Sequence, residues 1–184
     1  MPRHALSAEV RLSTFPYMVA PVADWYLPVS SSNVSVANSH LSFVSRVPVT
    51  GVLHDVAIYV QTSSGNVSAT VWDVGAAGAT RNRLWSSGSV ACGAQGWQVV
   101  GDPSLSVTAG QLVALGIGCD NITATFGTIA SLRSGPAANI PAAFASEGSL
   151  RIASFNSGFP DPGTTLVPSA TTLALMVVAR VTPS

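Results

Sequence analysis

The chain has 184 residues, eight acidic and eight basic, and the basic ones are all arginine, so formal charge cancels. Only 9% of residues are charged and 47% are apolar, against about a quarter charged in an ordinary soluble domain. Length fits one domain with a self-sufficient core. Nucleic-acid binding lacks the clustered cations that neutralise phosphates. No apolar run reaches the roughly 20 residues of a membrane-spanning helix, and the start has no secretory signal core.

Residues 1 to 36 read as an extended arm. Pro2, Pro16, Pro21 and Pro28 exclude a long helix or central strand there. Phe15, Tyr17, Trp25 and Tyr26 lie between them, more aromatics than a disordered linker carries. They are the candidate anchors, docking on the chain's own body or on a neighbour.

From Leu41 to the end the expected elements are strands of one body, residues 37 to 184. Phe43, Ser45 and Val47 lead to a strand end at Pro48. Val56, Ile58 and Val60 alternate with Ala57, Tyr59 and Gln61. After Ser63-Ser64-Gly65-Asn66, alternation resumes as Val67, Ala69 and Val71, which predicts a β-hairpin with one buried face. On this pattern Tyr59 and Trp72 point off the core from adjacent strands. Short strands follow at Leu84-Trp85, 89 to 91, 97 to 100 and 105 to 107. The runs 111 to 118 and 172 to 181 are apolar on both faces, as central or covered strands are. Residues 134 to 165 are rich in Gly and Pro, with one short helix expected near Pro141 to Glu147. The predicted fold class is all-β, an antiparallel jelly-roll-like β-sandwich with an extended N-terminal arm.

Motifs for chemistry are sparse. His4, His40 and His54 are the imidazoles available as a base. His54-Asp55 is an adjacent pair that a regular strand would point to opposite faces. The carboxylates Asp73, Asp102, Asp120, Glu147 and Asp161 are scattered, with no spacing that predicts a glycosidase pair. The expectation is a non-enzymatic protein with no catalytic residues, no cofactor and no metal site. Asp120-Asn121 or Asp161 would hold a structural Ca²⁺ only if oxygen ligands converged from several loops. Cys92 and Cys119 are expected as two small buried thiols, with a single bridge as the alternative. The sequons at Asn33, Asn66 and Asn121 carry little meaning without a secretion signal. The candidate interface or glycan-facing residues are Tyr59 with Trp72, and Arg83 with Trp85. Flat aromatics stack on sugar rings, but aromatics are also enriched at protein interfaces.

The order of strands, turns and aromatics from Leu41 through Val52 to Gln61, Ser63 to Asp73, Leu84 to Val90, Gly96-Trp97, Leu105 to Gly110 and Leu112 to Leu115 resembles a β-sandwich module of actinobacteriophage minor tail and tail-fibre proteins. Arginine without lysine, with abundant Ala, Val and Gly, agrees with a GC-rich genome. Related sandwiches serve as capsid decoration proteins and carbohydrate-binding modules. The resemblance implies a virion part, commonly trimeric, at a tail tip or on a head surface; the missing targeting signals give the expectation that it is made in the host cytoplasm. Its partners would be copies of itself, tail or major capsid protein, and a host cell-wall glycan. Tail-fibre modules follow a trimeric shaft, whereas here only the short arm precedes the body, so the expectation is a complete small virion protein anchored by its arm. Minor tail protein comes first, capsid decoration protein second and a free carbohydrate-binding module third. Poor surface charge in so apolar a chain points the same way, to a surface covered in an assembly.

Overall fold

A computed structural model describes residues 18–19, 30–32, 34, 37–74, 82–128, 153–163, 168–169 and 175–184. These form fourteen strands: β1 (Met18–Val19), β2 (Ser30–Ser32), β3 (Ser39–Arg46), β4 (Gly51–Thr62), β5 (Asn66–Asp73), β6 (Arg83–Ser86), β7 (Val90–Ala91), β8 (Gly96–Gly101), β9 (Leu105–Val107), β10 (Leu112–Cys119), β11 (Thr125–Thr128), β12 (Ala153–Ser157), β13 (Pro168–Ser169) and β14 (Val177–Pro183). Among the described residues there is no helix. The short helix expected near Pro141 to Glu147 lies outside them.

Two antiparallel sheets divide the strands. Sheet A runs β1-β14-β4-β11-β2, with β8 and β9 on the other edge of β4. Sheet B runs β13-β12-β3-β10-β5-β6, and β7 also pairs with β5. The expected all-β, sandwich-like body is therefore present. Two pieces of the expected arm, β1 and β2, are strands of sheet A, paired with β14 and β11. The candidate anchors Phe15, Tyr17, Trp25 and Tyr26 lie outside the described residues.

Alternation dictates which side chains meet between the sheets. Leu53, Val56, Ile58 and Val60 of β4, with Phe126 of β11 and Val177 of β14, join one core cluster with Leu41 and Phe43 of β3, Val67, Ala69 and Val71 of β5 and Leu115 and Ile117 of β10. Each such aliphatic side chain contributes about 1.5–3 kcal/mol by leaving water. The predicted hairpin of β4 and β5 is not formed. The two buried rows face one another, but from opposite sheets, and the turn at 63–65 carries the chain across. Asp120 ties that crossing down. Its carboxylate accepts the Asn66 N–H at 3.0 Å and Asn66 Nδ2 at 2.8 Å, and Asn121 Nδ2 also donates to Ser64 O at 3.1 Å.

β10 is central, between β3 and β5, as its two apolar faces predicted. Its outward row is small, Ala114, Gly116 and Gly118, and each stands between a β3 and a β5 residue. The rungs are Val44–Ala114–Trp72, Ser42–Gly116–Thr70 and His40–Gly118–Ser68. A Cβ on Gly118 would land on the His40 imidazole, and one on Gly116 on Ser42 Oγ and Thr70 Oγ1. Glycine inside this strand thus marks close approach of neighbouring side chains.

Candidate functional site

Three places gather polar or aromatic side chains. The first is a bulge in β4. Its buried positions run Gly51 and Leu53, then Val56, Ile58 and Val60, so the alternation slips by one residue. Asp55 takes a left-handed φ of 44°, and the register shifts against both β8 and β14 nearby. The extra residue puts His54 and Asp55 both off the core. This corrects the expectation that the adjacent pair must point to opposite faces.

His54 Nδ1 donates to the Asp102 carboxylate, 3.0 Å from either oxygen. Asp102 also accepts the Ser104 N–H at 2.9 Å and the Ser104 hydroxyl at 3.0 Å. The hydrogen bond from His54, then those from Ser104, hold the Asp102 carboxyl below its usual range. Ser, His and Asp are present, but in the wrong order for acyl transfer. A nucleophilic serine must meet His Nε2, with the carboxylate behind the ring; Ser104 instead braces the carboxylate. Asp55 is held by Arg180 at 2.7 Å.

The second place is the outward face of sheet A, where Tyr59 of β4 opposes Trp97 of β8 in register. Their rings meet edge to face, with centroids 5.5 Å apart and planes at 83°. Val99, two residues on, is 56% exposed.

The third is the outward face of sheet B. Trp72 is fully buried there with Val44, Val74 and Ala114, and its Nε1–H donates to Thr70 Oγ1 at 3.0 Å. Tyr59 and Trp72 therefore sit in different sheets and form no shared platform. Arg83 and Trp85 are also separated. The β5–β6 register shifts, so Arg83 opposes Trp72 on the outward face while Trp85 opposes Val71 on the inward one. Trp85 packs against the main core, and a Cβ on Gly101 of β8 would meet its ring, so this indole fills the open side between the sheets. Arg83 Nη1 donates to Pro162 O at 2.7 Å and lies 3.3 Å from Asp161.

His40 is the residue that sequence reasoning undervalued. It is fully buried on β3, where its Nδ1 meets Gly158 O at 2.9 Å and its Nε2 meets Ser68 Oγ across Gly118. A carbonyl only accepts, so Nδ1 carries the proton and Nε2 accepts from the serine. Burial pushes its pKa down to about 4, against a smaller upward pull from the Gly158 carbonyl. The available signal was Gly116 and Gly118 inside an otherwise apolar strand.

Asp120 and Asn121 form a clasp rather than an open ligand set. Desolvation raises the Asp120 carboxyl, but hydrogen bonds from Asn66 and Asn121 outweigh it and leave the group below its usual value. No group of three or more His, Cys, Asp or Glu that could hold a metal occurs among the described residues. Both cysteines are free thiols; Cys119 is buried, its pKa raised by burial, and Cys92 is half-buried. His4 and Glu147 lie outside the described residues. Neither a scan against protein-family models nor a search of curated proteins found a match.

Proposed function

We propose that this chain is a non-enzymatic structural protein of a bacteriophage particle, a minor tail protein acting in tail assembly or host-surface attachment. One observation carries the reading: among the described residues, most of the polar and aromatic side chains that could have formed a site hold the body together instead. Trp72 and His40 are fully buried, half-buried Trp85 packs against the core, Asp120 and Arg83 fasten loops, and Ser104 braces Asp102 rather than facing a base. The resemblance of about residues 40 to 120 to tail modules supports it, as does a two-sheet body of the kind those modules use. In this proposal the sandwich is jelly-roll-like, the arm anchors the protein to its neighbours, and the sparsely charged surface is covered by copies of itself as a homotrimer.

Electron cryomicroscopy of purified particles tests it by locating and counting the chain. A few copies or a single ring at the tail is the expected result. Density at hundreds of symmetric sites on the head would make it a capsid decoration protein, and absence from particles would refute a virion role.

A further inference from the structure

Residues 158–162 cross the outward face of sheet B as a strap. At one end, over β3, Gly158 N–H donates to Asn38 O at 2.8 Å, Gly158 O accepts from His40, and the Phe159 ring stacks on the imidazole at 6.2 Å and 25°. At the other end, over β6, Pro160 O accepts from Ser86 at 3.4 Å and Pro162 O from Arg83 at 2.7 Å. β10 and β5 lie between, so the strap bridges three strand spacings, about 14 Å, within reach of five extended residues. Gly118 makes the bed: with no side chain there, His40 lies flat across β10, bonded to Ser68 below and to the strap above.

We propose that this strap is an acid-released latch: when the surroundings acidify, His40 takes up a proton, and the strap lifts from sheet B to let water reach the ring. The closed strap favours neutral imidazole because the ring is fully buried and no solvent reaches it to stabilise a cation; the Ser68 hydroxyl can pair with Nε2 in either protonation state, so burial alone sets the preference. The charged groups facing His40 are Arg83 of β6, which opposes protonation, and Asp161 of the strap, which favours it. They pair with one another at 3.3 Å, so neither supplies a free counter-charge. The sign follows from linkage. The lifted state, with an exposed imidazole, binds more protons than the closed state below pH 6.5, so acid favours lifting. With the closed-state value at about 4, the lifting equilibrium rises close to tenfold per pH unit, roughly 300-fold across the window.

The test is amide hydrogen exchange on the full chain from pH 7 to 4.5, corrected for intrinsic rates, with the Gly158 amide reporting the strap and the β10 amides reporting the sheet. Protection at Gly158 is expected to fall nearly tenfold per unit below pH 6 while β10 stays protected. His40→Gln, which cannot titrate, should flatten that dependence. Constant protection at Gly158, loss in step with β10, or an undiminished dependence in His40→Gln would overturn the latch. If the variant does not fold, the His40 ring proton is followed by NMR in the wild-type chain. Titration of the ring with no change at Gly158 overturns the proposal, and coincident midpoints support it.

Discussion

Gly118→Ala is the sharpest probe of how sheet B is built. The new methyl would occupy space held by the His40 imidazole, which cannot slide away because Gly158 holds its Nδ1, Ser68 holds its Nε2 and Phe159 covers its face. Overpacking of a filled site costs about 1–3 kcal/mol. Displacing the ring also strains or breaks two hydrogen bonds, each worth about 0.5–1.5 kcal/mol. Together these predict a loss of about 3 kcal/mol, or roughly 6–12 °C in Tm for a chain of this size. Urea unfolding followed by tryptophan fluorescence measures it as a drop in midpoint at unchanged m. Gly163→Ala, where a Cβ meets nothing within 4 Å, is the control and should cost less than about 0.5 kcal/mol. A double-mutant cycle isolates the cause. In a His40→Ala background the methyl has room, so Gly118→Ala should cost under about 1 kcal/mol there. Equal costs in both backgrounds would refute the reasoning, since the penalty would then come from the backbone and not from the imidazole.

Trp72→Ala should destabilise the fold by about 3–5 kcal/mol, the range for emptying a buried aromatic site, read by calorimetry; a near-neutral effect would return Trp72 to the surface. Asp120→Ala should cost about 1–3 kcal/mol, because the Asn66 and Asn121 donors lose their acceptor, and urea unfolding checks it. The Asp120 carboxyl is depressed in the fold, so its contribution is present above the unfolded value of 3.8 and is lost as pH falls through the folded value. Asp120→Asn should therefore flatten the acid limb below about pH 4, leaving the higher window of His40 intact. Titration with a thiol reagent should modify half-buried Cys92 readily and Cys119 at the rate of unfolding, because burial keeps Cys119 protonated and out of reach.

The strand pattern was legible because side-chain alternation is local: Val56, Ile58 and Val60, and Val67, Ala69 and Val71, were assigned to a buried face from their spacing, and they are core. The apolar run at β10 announced a central strand for the same reason. Partnership was not legible. The turn at 63–65 looks alike whether it closes a hairpin or crosses between sheets, and residues far along the chain, Cys92, Asp120 and Asn121, hold it in the second arrangement. The separation of Tyr59 from Trp72 follows from that one difference. The slip at Asp55 was hidden as well, since a bulge depends on two partner strands accommodating an extra residue, and it alone brings His54 and Asp55 to the same side. His40 needed three separate segments, 68, 118 and 158, to become a buried neutral base. Periodicity determined which residues would leave water; tertiary structure decided which of them would meet, because hydrophobic burial is indifferent to partner while hydrogen bonds and steric fit are not.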